Sequence, residues 1–197
     1  MTRKNALLIV DMQNDFCPGG ALPVADGDLV VPALNRYMEI FKAEGVPIYA
    51  SRDWHPAKTA HFKEFGGQWP AHCVRKTFGA EFHPDLELPK NAVIITKGDD
   101  PDSDGYSAFD GHDDSGRVFD ERLRDDRVTH LYVGGLATDY CVKETVLDAV
   151  RKGFEVTVLM DAVKGVDVRE GDSERAVQEM AESGAEEVTL DKFRIKA

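Results

Sequence analysis

Asp53-Trp54-His55 is followed by His61 and then His72, a spacing of D-x-H-x5-H-x10-H in which the only other acid is Glu64. One carboxylate and three imidazoles in so short a stretch are a full ligand set for a borderline divalent cation. Zn²⁺, Fe²⁺ and Mn²⁺ all suit these donors, and ligand type alone does not choose among them. Asp53 and His55 are two apart in an extended segment, so their side chains face the same way, while His61 and His72 must fold back to join them. The plainer reading, that a histidine only caps a loop, is kept for His83, His112 and His130, which lack chelating neighbours.

A second group carries nucleophile chemistry. Gly134-Gly135-Leu136-Ala137-Thr138-Asp139-Tyr140-Cys141 reads as the end of a strand, a tight turn and a helix start. With Thr138 as cap, Cys141 falls in the first turn, where unpaired N–H groups and the helix dipole favour a thiolate and could hold an oxyanion. A lone cysteine is ordinarily a packing residue, and Cys17 and Cys73 are read that way; position reverses the reading for Cys141. Asp11, at the mouth of an apolar strand, could take the thiol proton and return it to a leaving amine. Lys97 would hold that carboxylate ionised and orient it.

These residues need a scaffold that brings them to one edge. Ala6 to Val10 is a continuous apolar run, as expected of a parallel strand buried on both faces. Further strands are expected at 46–51, 92–96, 128–133, 154–160 and 187–190. Helices are expected at 28–44, 119–123, 138–152 and 173–183, the first with Ala33, Tyr37 and Phe41 in one row and Gly45 after it. The alternation predicts a three-layer α/β/α fold around a mainly parallel six-stranded sheet, Rossmann-like, in a single domain over 1–197. Asp11, Asp53, Lys97 and the segment before Cys141 all follow strands and so share its carboxyl edge. Both long irregular segments, 53–90 and 98–116, open from that edge, and long loops in compact domains tend to be functional.

The formal net charge of −12 argues against nucleic acid or an anionic membrane surface as a partner. Three cysteines do not make a paired disulfide framework. The start, Met1-Thr2-Arg3-Lys4-Asn5, leads into an apolar run too short for a signal peptide or a membrane span, so a cytoplasmic setting is expected.

The motifs together resemble the nicotinamidases, which also hydrolyse pyrazinamide, of the isochorismatase-like cysteine hydrolase superfamily. The matching pieces are 9–20 (Ile-Val-Asp-Met-Gln-Asn-Asp-Phe-Cys-Pro-Gly-Gly), Asp53-Trp54-His55-Pro56, Trp69-Pro70-Ala71-His72-Cys73-Val74, Phe82-His83-Pro84, Lys97-Gly98, Tyr106-Ser107-Ala108-Phe109 and Gly135 to Val142. The aspartate, lysine and cysteine resemble the wider superfamily; the histidine cluster and the Trp-Pro-x-His-Cys element resemble nicotinamidases in particular. The resemblance implies that Cys141 attacks the carboxamide carbon of nicotinamide, that Asp11 moves the protons and that Lys97 positions both. It implies an oxyanion hole from the backbone N–H groups of Ala137 and Cys141, with a cis Leu136–Ala137 peptide. It further implies one divalent metal ion on Asp53, His55, His61 and His72 that orients the pyridine ring. Phe16, Trp69, Leu136 and Ala137 are implied as the substrate-binding residues. Tyr140 stands where some relatives carry histidine, which is expected to alter the pocket rim; whether Tyr106 lines the pocket is left open.

Two other readings account for part of the sequence. A relative acting on another small amide or a vinyl ether would leave the metal ligands without a purpose. A metal-binding scaffold that had lost catalysis would lack Cys141, Asp11 or Lys97, and all three are present. A small-molecule substrate is the partner implied; a homo-oligomer is compatible with the sequence but not specified by it.

Overall fold

A computed structural model describes residues 4–195, so the Met1–Arg3 start lies outside the described residues. Six strands form one sheet: β1 (Asn5–Val10), β2 (Ile48–Asp53), β3 (Val93–Lys97), β4 (His130–Leu136), β5 (Glu155–Lys164) and β6 (Glu186–Val188). Their order is β3-β2-β1-β4-β5-β6, and every pairing is parallel. β1 is central and buried along its whole length, which is why it contains no charged residue.

Its side chains alternate between two cores. Leu7 and Ile9 pack with Leu34, Tyr37 and Phe41 of α1 (Val31–Ala43) on one face. Ala6, Leu8 and Val10 pack on the other with α2 (Phe119–Asp125), α3 (Lys143–Arg151) and α4 (Asp172–Glu182) through Leu123, Val146 and Met180. Each fully buried side chain of this size contributes about 1.5–3 kcal/mol. No helix among the described residues is long and apolar enough to cross a membrane.

The expected elements are all present, with shifted ends. The first helix was expected from residue 28; Gly27–Val30 is instead a 3-10 turn and α1 starts at Val31, with Pro32 where its missing N–H costs nothing. The strand expected at 128–133 runs on through Gly134 and Gly135, which stay in β4 and pair with Ile9 and Val10. Gly135 has φ +122°, and a Cβ there would sit 2.0 Å from the Val10 carbonyl oxygen. The glycine therefore permits close strand approach rather than a turn. Thr138 caps no helix: Thr138–Val142 is a π-helical turn preceded by Ala137, and α3 begins only at Lys143.

Strand order reverses at one place. From β1 the chain winds outward through β2 and β3, then returns to the other side of β1 for β4, β5 and β6. Such a switch point leaves a crevice at the carboxyl ends of the two central strands. Asp11 follows β1 there and Cys141 lies just beyond β4.

Candidate active site

Register places the charged residues. Asp53 and Lys97 end β2 and β3 as paired positions, so their side chains leave the sheet on the same side. The Lys97 ammonium, fully buried, lies 2.8 Å from Asp11 Oδ2 and contacts Asp53 Oδ1 still more closely. It also donates to the Gly105 carbonyl at 3.0 Å and reaches Cys141 Sγ at 3.5 Å. Three of the expected residues, Asp11, Lys97 and Cys141, thus meet at the switch point with Asp53 as a fourth.

Two further residues hold this group and escaped the sequence reading. The Ser51 hydroxyl donates to Asp11 Oδ1 at 2.7 Å. Gln13, fully buried, uses its whole amide on the backbone: Nε2 donates to the Asp53 and Ala80 carbonyls, each at 2.8 Å, and Oε1 accepts the Asp53 N–H at 2.7 Å. Gln13 lies in the matched 9–20 segment, but nothing in its spacing says which backbone it will grip.

Burial and the single ammonium divide the protons. Burial pushes Asp11 above the usual carboxylate range, and the attraction of Lys97 only partly offsets it. At Asp53 burial also opposes ionisation, but Lys97 and then His55 hold the carboxyl below its ordinary value. Lys97 stays charged because the two carboxylates outweigh its own desolvation. Burial drives the Cys141 thiol well up, against the pull of Lys97. Burial thus opposes the thiolate expected at a helix start, and Lys97, at 3.5 Å from Sγ, is the cation that favours it.

The three histidines form the neighbouring group. One ring nitrogen from each of His55, His61 and His72 lies within 4.8 Å of the others, and all three residues are buried. His61 Nδ1 lies 2.8 Å from Asp104 Oδ1, and His72 Nδ1 lies 2.8 Å from the Pro70 carbonyl. Partners at Nδ1 fix the tautomer that leaves Nε2 as a lone pair for a metal. Among the described residues, neither ring nitrogen of His55, which is fully buried, has a hydrogen-bond partner. A buried polar nitrogen left unpaired is costly, and a divalent ion at this spot would remove the penalty. Asp53 Oδ2 stands 3.6 Å from His55 Nε2, so one carboxylate faces Lys97 with one oxygen and the histidines with the other. These residues fit a borderline divalent metal. Burial keeps His61 and His72 neutral, as ligands must be, with His72 pushed down to about 4.

His83, His112 and His130 stay outside this group as expected: the His83 ring accepts the Asp85 N–H, His112 pairs with Asp99, and His130 Nε2 bonds the Thr157 hydroxyl. Cys17 and Cys73 are buried free thiols beside the site.

Over both groups opens a cleft of about 380 Å³, counting its mouth. Phe16, Trp69 and Ala137 line it as expected, beside Asp53, His61, His72 and Cys141. The Leu136 side chain does not: it is buried in the core near Gly27, and the peptide that joins it to Ala137 is cis. Tyr106, left open before, lines the cleft and accepts hydrogen bonds from Trp69 Nε1 at 2.8 Å and Gln68 Nε2 at 2.9 Å. Tyr140 also lines the cleft and sits edge-on to Trp69, with ring centres 5.0 Å apart. Leu22 and Val166 complete the wall. Both come from irregular segments, and no pattern in the chain marks them.

Comparison with known proteins agrees with this geometry. Residues 5–192 match the isochorismatase domain, and the chain belongs to that family. It is 43% identical over 204 residues to the nicotinamidase of Escherichia coli (strain K12), covering 94% of each chain. It is 39% identical over 164 residues to the nicotinamidase/pyrazinamidase of Mycobacterium tuberculosis, covering 82% of this chain and 87% of that one. The crystal structure of the pyrazinamidase of Pyrococcus horikoshii in complex with zinc matches with a TM-score of 0.87 and 48% identity, covering 95% of this chain and 99% of that one.

Proposed function

We propose that this chain is a nicotinamidase, acting as one hydrolase domain, that converts nicotinamide to nicotinic acid and ammonia and also accepts pyrazinamide. One observation carries the reading: Cys141 of the Asp11–Lys97–Cys141 group and His61 and His72 of the three-histidine group line the same aromatic cleft, and Asp53 joins the two groups.

Asp11 shares the Lys97 ammonium with the Cys141 sulfur, and burial raises its affinity for a proton, so it is assigned as the base for the thiol. As the carboxamide carbon approaches, Asp11 takes the Cys141 proton and Sγ forms the bond to carbon. Negative charge moves to the carbonyl oxygen, which the backbone N–H groups of Ala137 and Cys141 are assigned to hold. Asp11 returns the proton to the amide nitrogen, the C–N bond breaks, and ammonia leaves a thioester on Cys141. Water then loses a proton to Asp11, attacks the thioester carbon and expels the sulfur, which recovers that proton. Lys97 keeps its charge throughout and holds Asp11 beside the sulfur.

The ring lies between Phe16 and Trp69, an apolar slot suited to a flat, neutral substrate. Asp53, His55, His61 and His72 are assigned to one divalent ion, of Zn²⁺, Fe²⁺ or Mn²⁺ type. When bound, that ion supplies an anchor for the pyridine nitrogen and so orients the ring rather than polarising the carbonyl.

Acid quenching during turnover, followed by peptide mass spectrometry, tests this directly. A nicotinoyl group on the Cys141 peptide is expected. Turnover with no acyl group at Cys141, under conditions that trap thioesters, would replace the covalent route with direct attack by water.

A further inference from the structure

Asp139 lies two residues before the nucleophile, is only 7% exposed, and does not line the cleft. Its carboxylate grips another loop: Oδ1 accepts the Val166 N–H at 2.9 Å and Oδ2 accepts the Asp167 N–H at 2.8 Å. Val166 is a wall of the cleft and Cys141 is its nucleophile, yet they come from different connections, β5–α4 and β4–α3. Pairing of β4 with β5 ends at Leu136 and Lys164, and the two Asp139 bonds continue the tie beyond the sheet.

The loop is built for this grip. A Cβ at Gly165 would fall 1.7 Å from Ser173 Oγ and 3.1 Å from Asp139 Oδ1, so a side chain there would displace the Ser173 hydroxyl. Asp167, at φ +50°, passes the connection on by accepting both the N–H and the hydroxyl of Ser173, each at 2.8 Å, at the start of α4. Hydrogen bonds from two backbone N–H groups to one ionised carboxylate are strong and directional.

We propose that Asp139 is a positioning residue for catalysis: it fixes the Val166 wall relative to Cys141, so that the substrate ring is held where the sulfur can reach its carboxamide. The identity of the substrate rests on the nicotinamidase reading; the clamp itself does not. Displacement of a wall by about 1 Å is enough to loosen the hold on the ring.

The test is a double-mutant cycle on the metal-loaded enzyme with nicotinamide. In Asp139→Asn the side chain offers one acceptor and turns a donor toward the second N–H. The expected result is KM raised about tenfold with kcat within about threefold of the parent. Val166→Ala raises KM to a similar degree, and the double variant raises it little further, because both changes remove the same wall. Ser173→Ala, which touches only the far end of the chain of bonds, leaves KM unchanged. An unchanged KM in Asp139→Asn, or effects of the two substitutions that multiply, would overturn the proposal. Amide hydrogen exchange on the parent protein provides a readout that needs neither substrate nor a variant that folds: the Val166 and Asp167 amides must exchange slowly, and fast exchange at both would remove the clamp. Slow exchange in a protein that fails to hydrolyse nicotinamide would count against the substrate assignment alone.

Discussion

Asp11 and Asp53 share one counter-charge, the buried Lys97 ammonium, and their surroundings drive them apart: Asp11 is raised and Asp53 lowered. Separation of two carboxylates in this way assigns their roles. In the proposed mechanism Asp53 stays the anion, with an oxygen turned toward the histidines, and Asp11 is the group that gains and loses a proton beside the sulfur.

Replacing Asp11 with asparagine keeps the shape and an acceptor for the Ser51 hydroxyl while removing the base. Turnover should fall by about 10²–10⁴-fold, with the urea midpoint near that of the parent. Steady-state kinetics and urea unfolding on the same preparation check this; retention of full activity would free Asp11 from its proton-transfer role.

Lys97→Met removes the counter-charge and leaves two carboxylates buried together. Breaking a buried ion pair from one side costs about 3–5 kcal/mol, so the midpoint of unfolding at neutral pH should drop markedly, and turnover should vanish with it. In the double variant Asp11→Asn/Lys97→Met one of the stranded charges is gone, and part of the stability should return. A double variant no more stable than Lys97→Met would show that the loss is a packing defect.

Asp104 touches no metal ligand nitrogen that would face the ion, but it bonds His61 at Nδ1. Loss of such a partner costs about 10–100-fold in metal affinity, and the exposed position of Asp104, 65% accessible, favours the lower end. Competition of the loaded Asp104→Ala protein against a chelator of known affinity measures the change. Affinity equal to the parent would mean that the Asp104 bond does not orient His61.

Stability at low pH should report on Asp113, far from this chemistry. Hydrogen bonds from the Ser115 hydroxyl, opposed by burial and joined by the Arg117 and Ser115 N–H groups and by Arg122, hold it at about 2, below an unfolded value of 3.8. A depressed carboxylate stabilises the fold above its unfolded pKa, and that contribution disappears as pH falls from 3.8 toward 2. Asp113→Asn should therefore be less stable than the parent at pH 7, by about 1–3 kcal/mol, with the gap closing below pH 3.8. Urea unfolding of both proteins across that range follows the gap directly; a constant difference would contradict the assigned shift.

Much of the site was legible in the chain because its residues are tied to strand ends. Asp11, Asp53 and Lys97 each terminate or follow an apolar run, and a parallel sheet brings such ends to one edge. His55, His61 and His72 were legible from their donor types and spacing. Phe16 and Trp69 came from resemblance alone, since an aromatic residue in an irregular segment says nothing of what it faces. Gln13, Ser51, Leu22 and Val166 were not legible: each acts on a segment remote in sequence, and only the folded chain decides the pairing. Thr138 misled because a cap is a local signal, whereas the chain makes a π turn over Thr138–Val142 before α3 begins. Gly134 and Gly135 hid the true end of β4, because the close approach of β1 at Gly135 shows only in the folded chain.

The most direct measurement is the release of ammonia and nicotinic acid from nicotinamide by the purified protein, before and after chelation and after reloading with Zn²⁺, Fe²⁺ or Mn²⁺. The account predicts that both products appear in equal amounts, that chelation stops them, that at least one ion restores them, and that Cys141→Ala gives neither under any condition. Absence of ammonia from the metal-loaded parent, or undiminished release by Cys141→Ala, would contradict it.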